Sequence, residues 1–64
     1  MTPAPAQIRR ARLAANLTQR QAAELIGYSL RMWEEWESGR SPMRAVLWEA
    51  FQSKAHAFIR SRTK

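Results

Sequence analysis

The chain has 64 residues, of which 45% are hydrophobic and none is cysteine, and its formal net charge is +6 at pH 7. This length allows one domain with one small core, and the lack of cysteine excludes a disulfide framework and a thiolate zinc cluster. No apolar run approaches the ~20 residues that cross a bilayer, and residues 1–16 contain no hydrophobic leader, so we expect a cytoplasmic protein without a membrane partner.

The first predicted helix begins near Pro5, because proline is tolerated in a first helical turn but not in a helix interior. Ile8, Ala11 and Ala15 recur at helical spacing and form its predicted inner side. Asn16 follows and tolerates the left-handed conformation that ends a helix. The first helix therefore extends over about ten residues.

Two short helices with hydroxyl caps are predicted next. Thr18 and Gln21 have the spacing of a capping box, and Gly27 can adopt the positive φ that ends this second helix. Ser29 caps the third helix, which ends at residues 38–39. Two helices this close in sequence must cross steeply, so the pattern over residues 18–38 predicts a helix-turn-helix motif with an outward second helix.

The third helix has two different sides. Trp33 and Trp36 lie three residues apart and are predicted to point inward, against a second helix whose inner side carries Ala22, Ala23 and Ile26. The opposite side carries the charged and polar residues Arg31, Glu34, Glu35 and Ser38. We expect this polar side to face a ligand or solvent.

A fourth helix is predicted over residues 42–59, with Ser41 as its cap and Pro42 in its first turn. Its apolar positions have helical spacing and form the predicted homodimer contact, namely Leu47, Phe51, Ala55 and Phe58. Whether the helix breaks near Ser53 stays open, and residues 60–64 are expected to fray. The whole chain is thus predicted to be one all-α domain of four to five helices.

The residues that define the motif resemble a known family. Leu17-Thr18-Gln19, Ala23, Gly27, Ser29 and Trp33-x-x-Trp36-Glu37-x-Gly39 resemble the Cro/C1 (XRE-type) helix-turn-helix regulators of phages and bacteria. The resemblance implies a lambda-repressor-like DNA-binding fold and a homodimeric transcriptional repressor of an inverted-repeat operator. Because it lacks a second domain, the chain resembles the small stand-alone regulators of phages and mobile elements, including those that accompany anti-CRISPR genes.

The same resemblance assigns roles to individual residues. It implies that Gln19 binds a DNA phosphate and braces the recognition helix, and that Arg40 and Arg44 bind phosphates. It also implies a structural ion pair between Arg12 and Glu37. The tryptophans depart from the aliphatic residues usual in the family and require a wider pocket, which Ala22 of the second helix can provide.

The outward side of the third helix carries the predicted base contacts. Arg31 can donate two bonds to guanine, and its alternative is an ion pair with Glu35 four residues on. The two contacts can also coexist, with Glu35 orienting Arg31. Glu34 and Glu35 can accept from the cytosine amino group or act as surface charges, and Leu30 can contact a thymine methyl. The complete predicted DNA-binding set is Thr18, Gln19, Arg20, Ser29, Leu30, Arg31, Glu34, Glu35, Arg40 and Arg44.

Four other functions compete with duplex DNA binding. An enzyme is not expected, because His56 has no partner at ligand spacing and no nucleophile and base pair is present. A stacking surface of Trp33, Trp36, Trp48, Phe51 and Phe58 is less expected than a core at this spacing. Two alternatives are an antitoxin whose C-terminal helix binds a toxin and a C-terminal helix that lies on a membrane surface. No cofactor or small-molecule ligand is expected.

The charge pattern agrees with a double-stranded DNA partner. Residues 1–23 carry a charge of +4 and residues 38–64 carry +5, whereas residues 24–37 carry −3. Basic surface supplies most of the non-specific affinity for phosphate backbones. The two basic ends therefore favour a polyanionic partner.

Overall fold

The computed structural model describes residues 2–62, with side chains as far as residue 61. These residues form four helices, α1 (Pro5–Ala14), α2 (Gln19–Leu25), α3 (Leu30–Ser38) and α4 (Ala45–Arg62), and no strand. Helix α3 packs against α1 and α2, and α4 packs against the same two helices. The all-α class expected from the sequence is confirmed.

The caps that the sequence predicts for α2 and α3 are formed. The Thr18 hydroxyl accepts the Gln21 amide N–H at 3.0 Å, while the Gln21 side chain accepts the Thr18 N–H at 2.9 Å. The Ser29 hydroxyl accepts the Met32 N–H at 3.2 Å. These bonds fix the starts of α2 and α3, because the first amides of a helix have no partner within it.

Three successive helices end in the same way, on a residue in the left-handed conformation. Asn16, Gly27 and Gly39 have φ values of 59°, 77° and 85°. After each of them, the next amide donates to a carbonyl five residues back, as in Leu17 to Arg12 and Tyr28 to Ala23. This is the Schellman motif, and it turns the chain sharply enough for short helices to cross.

The core is built around the third helix. Trp33, Phe51 and Met43 are fully buried, and Ile8 is 1% exposed. Ala22 and Ala23 of α2 are also fully buried, so two small side chains lie where α2 meets the rest of the core. Small residues allow helices to approach closely, and the space they leave suits the large indole rings.

The start of the fourth helix differs from the sequence prediction. Helix α4 begins at Ala45 and not at Pro42, and it continues without a break to Arg62. The hydroxyl of Ser41 does not cap it but donates to Glu35 Oε1 at 3.0 Å, at the end of α3. The predicted tail of residues 60–64 is therefore helical as far as 62, and residues 63–64 lie outside the described part of the chain.

Candidate nucleic-acid interface

Helix α3 presents a buried side and an exposed side, as predicted. Trp33 is completely buried and Trp36 is 2% exposed, whereas the Arg31 side chain is 88% exposed. A shallow depression on the outer side is lined by Arg31, Glu34, Glu35, Ser38 and Arg40. The helix is thus anchored on one side and offers charged groups on the other.

Aromatic contacts provide much of this anchor. The ring centroids of Trp33 and Phe51 lie 4.9 Å apart, and those of Trp33 and Trp36 lie 5.6 Å apart in an edge-to-face arrangement. Tyr28 packs on Trp36 from the turn before α3, at 5.2 Å. Such offset and tilted pairs are the favourable geometries of aromatic rings. The buried rings cannot stack on bases, which confirms their prediction as core residues.

The carboxylate of Glu37 is the polar centre of the motif. It accepts bonds from Arg12 Nε at 2.6 Å and Arg12 Nη2 at 3.2 Å, which confirms the expected ion pair. Gln19 Nε2 donates to it at 3.1 Å and Trp33 Nε1 donates at 2.6 Å. Arg12 and Glu37 side chains are only 11% and 7% exposed, so α1, α2 and α3 are joined at one nearly buried group.

The indole bond to Glu37 was not predicted. Trp33 and Glu37 are four residues apart on one helix, a spacing that places side chains side by side. A signal was present, because a buried indole N–H requires an acceptor and Glu37 is the carboxylate at this spacing. The tryptophan that replaces the usual aliphatic residue thus contributes a hydrogen bond as well as volume.

The pKa of Glu37 lies below its ordinary value of 4.5. Burial by itself raises this pKa, but hydrogen bonds from Arg12, Trp33 and Gln19, together with the arginine charge, outweigh that effect. Donors that bind the charged form of a carboxylate favour ionisation. Glu37 is therefore ionised in the folded protein at neutral pH.

Gln19 occupies the bracing position that the resemblance implies. One N–H of its side-chain amide is used by Glu37, and the other remains for an acceptor outside the protein. Gln19 is half-buried at the first position of α2. Its bracing contact is present, and its phosphate contact stays a prediction.

Arg31 and Glu35 form the ion pair that was the alternative to base contact. Arg31 Nε lies 3.8 Å from Glu35 Oε2, and the Glu35 side chain is 28% exposed. Pairs at this spacing on an exposed helix surface contribute only about 0.3 to 0.5 kcal/mol. The contact is too weak to prevent Arg31 from binding another group.

The other predicted DNA-binding residues lie at the surface with different degrees of exposure. Leu30 is half-buried at the first position of α3, and the hydroxyls of Thr18 and Ser29 are used as helix caps. The remaining members are exposed, namely Arg20, Glu34, Arg40 and Arg44. Their DNA contacts stay predictions.

The predicted dimer contact needs a correction. Phe51 is fully buried and Ala55 is 5% exposed within a single protomer, since both belong to the core with Trp33. Leu47 and Phe58 are half-buried and pack against that core. Large hydrophobic residues that are exposed lie elsewhere, at Leu13, Tyr28 and Val46, which are 55%, 40% and 64% exposed.

The described part of the chain contains neither a membrane-spanning helix nor a metal-binding cluster of side chains. Within residues 2–62, no helix is long and apolar enough to cross a lipid bilayer. No group of three or more His, Cys, Asp or Glu side chains in that part of the chain is arranged to hold a metal ion.

The packing and caps of α2 and α3 agree with the comparison to known families. Residues 6–53 match the family model described as a helix-turn-helix domain. The chain belongs to the helix-turn-helix domain family. In DNA-binding members of this motif the second helix lies in the major groove, and α3 is the second helix of the motif in this chain.

One curated relative shares part of the sequence. The chain is 41% identical over 39 residues to the Type II methyltransferase M.MspI of Moraxella sp. The matched segment covers 61% of this chain, which spans only 9% of the length of that relative. The similarity therefore concerns a small part of the methyltransferase.

Proposed function

We propose that this helix-turn-helix domain is a sequence-specific transcriptional regulator that reads double-stranded DNA with the exposed side of α3. The observation that carries the proposal is the contrast within α3 between the buried Trp33 and the 88% exposed Arg31 side chain. A guanidinium on a rigid helix can donate to both major-groove acceptors of guanine. Regulation would proceed by binding, with no cofactor and no catalytic step.

Rigid support of α3 favours readout. The Glu37 carboxylate holds α3 to α1 and α2 through Arg12 and Gln19, while the indole rings fix the same helix to α4. Base contacts require side chains held to within a fraction of an ångström, which a mobile helix does not provide. The phosphate contacts proposed for Arg40 and Arg44 would set the position of α3 on the duplex.

We further propose that the regulator acts as a homodimer and represses at an inverted repeat. A helix of nine residues reads only a few base pairs, and two such helices about 34 Å apart multiply the discrimination. Since Phe51 and Ala55 are core residues, we place the contact on the exposed part of α4 around Val46. Helix α4 has 18 residues, long enough to pack against a second copy.

Selection of bound sequences from random duplex DNA tests this function. We expect a two-fold symmetric motif, whereas recovery of unrelated sequences contradicts sequence-specific binding.

Sedimentation of Val46→Glu tests the dimer, with Ser53→Glu as a control that adds the same charge at an exposed polar position of α4. Val46→Glu should lower the apparent mass and Ser53→Glu should not; equal masses for both variants contradict the proposed contact.

The second candidate is a protein-binding module similar to an antitoxin. The observation in its favour is the exposure of Leu13 and Val46, since exposed apolar side chains can bind a partner protein. This candidate makes a different prediction in the same selection. The domain would bind DNA without a symmetric motif and would remain monomeric until its partner is added.

A further inference from the structure

We infer that Glu35 and Ser41 are positioning residues that present the Arg31 guanidinium end-on to a guanine of the DNA target. The inference rests on the function proposed above and assigns the base that α3 prefers. It also assigns a role to Ser41, which the sequence indicated only as a helix cap. The decisive juxtaposition is the row Ser41, Glu35 and Arg31 along the exposed side of α3.

The two carboxylate oxygens of Glu35 are engaged by different residues. Oε1 accepts the Ser41 hydroxyl at 3.0 Å, and Oε2 lies 3.8 Å from Arg31 Nε. One oxygen is thus held by the chain after α3 while the other faces the guanidinium. Contacts at both oxygens restrict rotation of the carboxylate more than a contact at one oxygen would.

Ser41 is itself held in place by backbone contacts. The main-chain carbonyl of Glu35 accepts the N–H groups of Arg40 and Ser41 at 3.0 and 3.3 Å. The Ser38 hydroxyl donates to the same carbonyl at 3.0 Å. The turn after α3 is therefore wrapped around Glu35, and the Ser41 hydroxyl is delivered to the carboxylate by a rigid loop.

The contact at Nε decides which edge of the guanidinium remains for DNA. Among the described residues, the side chain of Arg31 contacts a charged group only at Nε, which leaves both terminal nitrogens for a partner outside the protein. Two parallel N–H groups at the end of arginine match O6 and N7 of guanine. Arg31 is therefore oriented for an end-on contact, and Glu35 acts through Arg31 and not on a base.

This arrangement separates the roles of two adjacent carboxylates. Glu35 is partly buried and one of its carboxylate oxygens is bonded to Ser41. Glu34 is exposed and makes none of these contacts. Glu34 is therefore the more accessible carboxylate for a base.

The test uses the duplex obtained by selection and replaces each guanine in turn by 7-deazaguanine, which lacks the N7 acceptor. The guanine contacted by Arg31 is the one whose replacement weakens binding by wild-type protein but not by Arg31→Ala. We expect wild-type protein to lose about 5- to 150-fold in affinity at that position. Absence of any such guanine overturns the inference.

Ser41→Ala is then measured on the same pair of duplexes. The preference for guanine over 7-deazaguanine should fall about twofold, which is the effect of an exposed ion pair at this spacing, and Ser41→Thr, which retains the hydroxyl, should restore it. Ser38→Ala is the matched control, because it removes a hydroxyl that binds the Glu35 carbonyl and not its carboxylate. In an Arg31→Ala background, Ser41→Ala should change nothing further.

Several outcomes overturn the inference. It is wrong if Ser41→Ala retains the wild-type preference while Arg31→Ala loses it, or if Ser38→Ala has the same effect as Ser41→Ala. Circular dichroism confirms that each variant is folded, and Glu35→Gln gives an independent variant that should also lower the preference. If wild-type protein binds all duplexes equally, the proposed function fails together with the inference.

Discussion

Replacement of Glu37 by glutamine should be the most destabilising conservative change in the motif. Each oxygen of the carboxylate accepts two donors, Oε2 from Arg12 Nε and Trp33 Nε1, and Oε1 from Arg12 Nη2 and Gln19 Nε2. A glutamine amide has one oxygen and one NH₂ group. In either orientation, two donors then face an N–H group and lose their acceptor.

The magnitude follows from the burial of the pair. Breaking a buried charge pair by removing one partner costs about 3 to 5 kcal/mol, and the Arg12 side chain is only 11% exposed. Because glutamine retains some bonds, we expect a loss of about 3 kcal/mol in the free energy of unfolding. In a domain of this size each kcal/mol of lost stability lowers the thermal unfolding midpoint by about 4 to 8 °C, so we expect this midpoint to fall by about 12 to 24 °C.

Thermal and urea unfolding, followed by circular dichroism, measure this effect. Tryptophan fluorescence is a second probe, because the Trp33 indole donates directly to Glu37. Protein concentration must be held constant, since the stability of a dimer depends on it. Glu49→Gln is the control, because Glu49 is exposed on α4 and the change removes the same charge. If the two variants have equal stability, the assignment of Glu37 as the polar centre is wrong.

Three further predictions follow from the same contacts. The stability advantage of wild type over Glu37→Gln should be complete above about pH 4.5, the ordinary pKa of glutamate, and should disappear as pH falls through the lowered pKa of the folded state, because protonation removes the bonded charge. Urea titrations of both proteins from pH 7 to 2 measure this difference, and a difference that stays constant with pH would contradict it. Gly27→Ala should lower the free energy of unfolding in urea by about 1 kcal/mol, because Gly27 has a φ of +77°. Gly27→Asn should lower it less, since asparagine tolerates this conformation, and equal losses would mean that backbone conformation is not the cause. Arg44→Ala should weaken binding to all duplexes alike and reduce the slope of log affinity against log salt by about 0.9, whereas an unchanged slope rules out its phosphate contact.

Local signals along the chain identified most of the fold. The hydroxyls of Thr18 and Ser29 and the left-handed residues Asn16, Gly27 and Gly39 act within a few residues of themselves, so their roles are readable from the sequence. Local chemistry of this kind does not depend on where distant helices lie. The buried tryptophans of α3 follow in the same way from their helical spacing.

Competition between sites explains the misplaced start of α4. Ser41 and Pro42 have the local pattern of a helix start, but the Ser41 hydroxyl is used by Glu35 at the end of α3. Met43 then enters the core and is fully buried, and the three residues before α4 are not helical. A sequence pattern indicates that a hydroxyl can cap a helix but not which of two helices receives it.

Helical spacing also does not show what packs against the apolar side of a helix. The spacing of Phe51 and Ala55 shows that one side of α4 is buried, and it is satisfied equally by a second copy or by the same protomer. The short α2 and α3 leave a core that α4 must close, and Phe51 does so by packing on Trp33. The size of the core, and not the helical pattern, decided which surface these residues cover.

Duplex discrimination by an Arg31 variant shows whether α3 reads DNA. Fluorescence anisotropy should compare the selected duplex with a shuffled duplex of the same composition, using wild-type protein, Arg31→Ala and Arg10→Ala. Arg10 is exposed on α1 and provides a control of equal charge. We expect Arg31→Ala to lose most of the difference in affinity between the two duplexes and Arg10→Ala to retain it. Wild-type discrimination by Arg31→Ala would contradict the assignment of α3 as the helix that reads DNA.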